Sequence, residues 1–119
     1  MGGSNIHTVV SMEELKEIFS GLETPVIVEG RSDVDVLEKM GAERVFSLKG
    51  RPLYKVALEI SKSYDSVLVL TDFDSEGIKI ARKLNVYLER FGVVPNNSLR
   101  AKIKNIVTKE GISQIENIA

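Results

Sequence analysis

The chain has no cysteine among its 119 residues, which removes disulfides, zinc–thiolate sites and thiol nucleophiles at once. It fits a reducing cytoplasm, the expected location. No apolar stretch approaches the ~20 residues of a membrane span, and no charged-then-apolar leader opens the chain, so no membrane partner is expected. Internal repeats and low-complexity tracts are absent too. The single histidine, His7, decides nothing about chemistry. What remains is ordinary for a water-soluble globular domain, with 43% apolar and 28% charged residues. The length suits one domain with a real core. Met1-Gly2-Gly3-Ser4 looks like a flexible remnant of expression, and residues 1–10 are set aside as a loose N-terminus.

Net charge is −1, but it is unevenly spread. Between Gly77 and Lys109 the cations Lys79, Arg82, Lys83, Arg90, Arg100, Lys102, Lys104 and Lys109 face a single acid, Glu89. Any one of these could simply be solvated. Together they favour an anionic partner.

Apolar periodicity orders the chain. Ser11 opens an amphipathic helix to about Leu22, with Leu15, Ile18, Phe19 and Leu22 on one stripe. Pro25 to Gly30 is a short β-branched run, read as a buried parallel strand. A helix from Ser32 stops at Gly41, with Val34, Leu37 and Met40 inward. Arg44 to Leu48 is a second strand, and Pro52 opens a helix with Leu53, Val56, Ala57 and Ile60 buried. A third strand begins at Ser66 and carries Asp72-Phe73-Asp74 at its end. A long helix then runs from about Ser75 to Phe91, with Gly77, Ala81, Leu84 and Leu88 towards the sheet. Val93-Val94-Pro95 is a short edge strand, Ser98 to Lys109 a helix, and Ser113 to Ile118 a last turn. The alternation predicts an α/β fold, a parallel sheet of about four strands with helices on both faces.

Function in such sheets sits where strands end. Glu29 closes the first strand, and Asp72 and Asp74 close the third. Aspartates after a strand often only cap the next helix. Yet a cap needs one acid, and side chains two apart on extended backbone share a side. Three carboxylates at one edge with no lysine or arginine between them are costly unless a cation or shared proton relieves them. The metal reading is therefore the stronger, with Mg2+ (or Mn2+) held at about 2.0–2.1 Å by a few oxygens and retained waters. Lys49, Arg51, Lys79, Arg82, Lys83, Arg100 and Lys102 are candidates to hold phosphates. Arg31 divides evenly between that role and pairing with a neighbouring acid.

Three segments together carry a resemblance: Val26-Ile27-Val28-Glu29-Gly30-Arg31-Ser32-Asp33, Leu48-Lys49-Gly50, and Leu70-Thr71-Asp72-Phe73-Asp74-Ser75-Glu76-Gly77. The chain resembles the Toprim family, a compact Rossmann-like fold shared by topoisomerases, bacterial-type primases, overcoming-lysogenization-defect nucleases and the ribonuclease that matures 5S ribosomal RNA. The resemblance implies metal-binding aspartates at Asp72 and Asp74, and an acid–base glutamate at Glu29. It implies supporting roles for Gly30, Gly50 and Gly77, where backbone nears metal and phosphates, and for Asp33, a further acid of the nuclease branch. Residues 11–119 then form one Toprim domain with a helical C-terminal extension.

Departures narrow the choice. Ser75-Glu76-Gly77-Ile78 replaces the Arg-Glu-Gly-Glu that follows the second aspartate in single-strand topoisomerases, and Tyr54, Tyr64 and Tyr87 fall in helices as packing residues. Thr71-Asp72-Phe73-Asp74 with Ile80-Ala81-Arg82 is nearer the ribosomal-RNA-maturing ribonuclease, and the whole chain looks like the short free-standing archaeal Toprim proteins. The implied activity is Mg2+-dependent phosphodiester cleavage or transfer on nucleic acid, RNA favoured over DNA. The rival is a non-catalytic metal- and RNA-binding module of a processing complex. A haloacid-dehalogenase phosphatase fits poorly because no aspartate follows Asp74, and a receiver domain lacks its acid pair and late lysine.

Overall fold

The fold is built on strand residues with alternating destinations. In the computed structural model, which describes residues 2–118 with side chains from Val10 onward, β1 is Val26–Val28, β2 Val45–Ser47, β3 Ser66–Val69 and β4 Val94–Pro95. They form one parallel sheet in the order β2-β1-β3-β4. Side chains repeat every two residues along a strand, so each strand feeds two cores. Val26, Val28, Leu68 and Leu70 meet Leu15, Phe19, Leu37, Ile103, Val107 and Ile115 on one face. Ile27, Val67 and Val69 meet Val56, Ala57, Ile60, Ala81, Leu84 and Leu88 on the other.

The helices are α1 (Gly2–Ser20), α2 (Arg31–Lys39), α3 (Leu53–Ser61), α4 (Ser75–Arg90) and α5 (Asn97–Thr108), followed by a short 3-10 turn at Ile115–Asn117. α1, α2 and α5 cover one face, and α3 and α4 the other. The parallel α/β architecture expected from periodicity is therefore present. Helix α1 starts at Gly2, ahead of the expected Ser11. Met1 lies outside the described residues, and so do the side chains of the N-terminal stretch read as a loose start.

Chain order and sheet order diverge in one place. From β1 the chain crosses outward to β2, then returns past β1 to β3. Neighbouring strands β1 and β3 thus send their following loops to opposite faces, opening a crevice beyond their C-terminal ends. Glu29 follows β1 directly, and the loop after β3 holds Asp72 and Asp74. Pro95 sits in the edge strand β4, where a missing N–H costs the ladder least.

Candidate functional site at the β1–β3 crevice

β3 ends at Val69, before the Asp-x-Asp, yet the alternation continues through the loop. Thr71 and Phe73 are buried while Asp72 and Asp74 are half-buried at the crevice. Each carboxylate is fixed through one oxygen to a backbone N–H. Glu29 Oε2 accepts from Asp72 N at 2.8 Å, joining the ends of β1 and β3. Asp72 Oδ1 accepts from Ile115 N at 2.8 Å. Asp74 Oδ1 accepts from Gly77 N at 2.8 Å and caps α4. The capping reading of Asp-x-Asp is thus realised at Asp74. A fourth acid, Asp33, is 7% exposed, and its Oδ2 takes the Gly30 N–H at 3.0 Å, closing the start of α2.

Electrostatics follow from this crowding. Burial pushes the Glu29 carboxyl above the usual glutamate range; the Asp72 N–H opposes this, and the charges of Asp72, Asp33 and Asp74 add to it. Asp33 is raised by burial first, against its Gly30 hydrogen bond, with Asp72 and Glu116 contributing. Free carboxylates would therefore gain from a cation.

The structure supplies one that the sequence reading missed. The sequence alone shows no arginine among the acids and places Arg100 with the phosphate-binding cations. Its guanidinium instead points into the fold: Nη1 donates to Val69 O at 3.1 Å and Thr71 O at 2.9 Å, and Nη2 to Asp72 O at 3.2 Å. The same group lies 4.7 Å from the centroid of the Phe73 ring. Burial lowers its pKa, and the charges of Glu29 and Asp72 oppose that shift. Arg100 is a fork that holds the Asp-x-Asp loop by its carbonyls. The C-terminal segment is a second clasp unseen in the sequence, since Ser113 O accepts from Phe73 N at 2.7 Å and Ile115 N reaches Asp72.

Glycines meet two different demands. At Gly77 an added Cβ would stand 2.1 Å from Asp72 O, so only glycine lets α4 start beneath the loop. Thr71 Oγ1 donates to Gly77 O at 2.7 Å across the same contact. At Gly30 a Cβ would meet nothing within 4 Å, and the backbone is ordinary extended chain (φ −145°). The fold itself leaves room there, beside Glu29.

Of the proposed phosphate contacts, Arg51, Lys79 and Lys83 line a cleft of about 410 Å³ together with Glu29, Gly50 and Glu76, over an apolar floor of Leu48, Leu53 and Ile80. Arg51 is steadied by Glu59 at 3.2 Å and Ser47 O at 3.0 Å. Lys49 and Gly50 form the turn between β2 and α3 with φ of +47° and +71°. Arg31 pairs with Asp35 at 3.2 Å on the exposed surface. Arg82 is exposed on α4. Lys102 lies apart from the crevice, lining a second cleft with Glu14 and Glu17 of α1.

The donor chemistry is all carboxylate, suited to a hard divalent ion that keeps several waters and needs only one or two protein oxygens. The second oxygens of Glu29, Asp72 and Asp74 take no hydrogen bond from a described residue. Among the described residues no three acid, histidine or cysteine side chains form a ready-made cage. The arrangement fits a partly hydrated Mg2+ better than an ion fully enclosed by protein.

A four-stranded parallel sheet with acids beyond β1 and β3 defines a class, and residues 24–106 match the Toprim domain. The chain belongs to the Toprim family, whose members generally bind divalent metal ions such as Mg2+. Within it, the chain is 38% identical over 109 residues to a UPF0292 protein of Methanocaldococcus jannaschii, covering 90% of this chain and 83% of that one. It is 39% identical over 97 residues to a UPF0292 protein of Pyrococcus horikoshii, covering 81% and 72%. Among solved structures, a putative protein from Aquifex aeolicus superposes with a TM-score of 0.71 at 26% identity, covering 91% of this chain and 94% of that one.

Proposed function

We propose that this protein is a Mg2+-dependent phosphodiester-processing protein acting on nucleic acid, RNA in preference to DNA. One observation carries the reading. Glu29, Asp72 and Asp74 stand at the β1–β3 switch point, and Glu29 also lines the cleft that holds Arg51, Lys79 and Lys83. A bound divalent ion there would neutralise non-bridging phosphate oxygens. Glu29, Asp72 and Asp74 would hold it, and Mn2+ would serve in its place. Glu29 is placed to move a proton at the attacking or leaving oxygen, a role worth typically 10²–10⁴-fold. Its Oε2 bond to Asp72 N fixes the carboxylate while its other oxygen stays available. Arg51, Lys79 and Lys83 hold flanking phosphates without reading bases, so binding weakens steeply with salt. The preference for RNA rests on the likeness of Thr71 to Asp74 and Ile80 to Arg82 to the ribosomal-RNA-maturing branch.

The second reading is a non-catalytic metal- and RNA-binding module within a processing complex, supported by the cations Arg51, Lys79 and Lys83 that line the cleft. Labelled RNA and DNA incubated with Mg2+, Mn2+ or chelator separate the two. Metal-dependent cleavage lost in both Asp72→Asn and Glu29→Gln supports the enzyme. Binding that survives both substitutions without turnover supports the module. A cytoplasmic location accompanies either reading, consistent with a chain free of cysteine; among the described residues no helix is long and apolar enough to cross a membrane.

A further inference from the structure

The sequence reading makes all three tyrosines packing residues; Tyr87 does pack in part against the core, whereas Tyr54 stands exposed beside the cationic cleft. Tyr54 on α3 is 46% exposed, and its ring lies 6.2 Å from that of Tyr87 on α4, tilted at 56°. The Arg90 guanidinium lies 5.7 Å from the Tyr87 ring centroid. Leu58 and Val86, 42% and 53% exposed, lie one on each of the same two helices. The spacing along α4 links this surface to the cleft. Lys79, Lys83 and Tyr87 recur at four-residue intervals, and Arg90 follows three later, so they share one helix face. From Lys79 to Tyr87 the rise is about 12 Å. On α3, Leu53 lines the cleft and Tyr54 begins the aromatic surface.

We propose that Tyr54 and Tyr87, with Lys79, Lys83 and Arg90, form a stacking platform for unpaired nucleotides leading away from the acid site, so that the protein selects single-stranded segments. This deepens the nucleic-acid reading above and rests on it. Bases of every kind present a flat face, so aromatic rings interleaved with cations track a single strand without sequence preference. In a duplex those faces are hidden in the stack and cannot reach the rings. The charge along this helix face is positive, which suits a phosphate backbone; the nearby acids are Glu76, in the cleft, and Glu59, already paired to Arg51. A second protein copy would have to bring its own acids to meet Lys79, Lys83 and Arg90.

The test is binding of a fluorescein-labelled, non-self-complementary RNA strand, alone and annealed to its complement, followed by anisotropy in chelator so that cleavage plays no part. The chain has three tyrosines and no tryptophan, so quenching of tyrosine emission offers a second readout at the platform. The platform requires tighter binding of the single strand than of the duplex. Tyr54→Ala should weaken single-strand binding by roughly tenfold and leave the duplex unchanged, while Tyr54→Phe keeps wild-type affinity. Arg90→Gln gives a smaller loss in the same direction and leaves the rings in place. Equal affinity for the two forms, equal losses for both, or no effect of Tyr54→Ala overturns the platform. So does a dimer in sedimentation that Tyr54→Ala dissolves, since the surface then belongs to a second copy. Parallel assays with Mg2+ keep the two proposals apart. Tyrosine-dependent binding with no Glu29-dependent cleavage sinks the enzyme reading alone; Glu29-dependent cleavage with Tyr54→Ala binding normally sinks the platform alone.

Discussion

Replacing Arg100 with methionine should cost this small domain a large share of its stability. The side chain keeps its length, so the packing against Phe73 is mostly retained. Three hydrogen bonds to Val69, Thr71 and Asp72 carbonyls disappear, along with the positive charge facing Glu29 and Asp72. Leaving buried carbonyls unpaired costs about 1–3 kcal/mol each at full burial, and because Arg100 is only half-buried the three together should cost about 3 kcal/mol. Against a typical domain stability of about 5–15 kcal/mol this is severe. At roughly 4 °C per kcal/mol for a chain of this size, the melting temperature should fall by about 12 °C. Arg100→Lys retains the charge but not the two-armed fork, and should fall in between. Thermal unfolding followed by far-UV circular dichroism reads all three proteins. If Arg100→Met melts within a degree or two of wild type, the claim that this arginine holds the Asp-x-Asp loop is wrong.

Other consequences are as direct. Gly77→Ala forces a Cβ to within 2.1 Å of a backbone oxygen, so the ~1 kcal/mol that alanine gains in helix propensity should be outweighed, and urea titration should show a net loss of about 1–3 kcal/mol. Asp74→Ala removes the α4 cap and should cost about 1 kcal/mol in the same titration, while Asp74→Asn keeps the cap and most of that stability. Glu29→Gln keeps the acceptor for Asp72 N and removes a charge that burial disfavours, so the metal-free protein should melt higher at neutral pH. Because the folded pKa of Glu29 is raised, the native state holds more protons than the unfolded chain between the ordinary and the raised values. Stability in chelator should therefore decline as pH climbs through that window, with Asp33 adding to the trend. Glu29→Gln should flatten part of the slope; an unchanged slope contradicts the assignment.

Much of this architecture was legible because burial leaves a plain mark on sequence. Runs such as Val26 to Val28 and Ser66 to Leu70 can only be parallel strands if both faces are covered, and the helices between them repeat at the right period. Acids placed right after such runs fall at the strand ends by connectivity alone. Arg100 was not legible in this way. In sequence it looks like Lys102 or Lys104, a cation on an amphipathic helix, and only the docking of α5 beside β3 turns it inward. The clasp from Ser113 and Ile115 was equally hidden, since it is made by backbone groups reaching a loop 43 residues away in the case of Asp72. Tyr54 illustrates a third kind of limit: helical position was evident, but whether the ring is covered depends on how α3 and α4 lie together.

Titration of the protein with Mn2+, read by the loss of free-ion signal in electron paramagnetic resonance, tests the central claim most directly. Wild type should take up the ion and release it to competing Mg2+, and Glu29→Gln, Asp72→Asn and Asp74→Asn should each weaken uptake markedly while still folding. Equal uptake by all four proteins would contradict an ion site at the ends of β1 and β3.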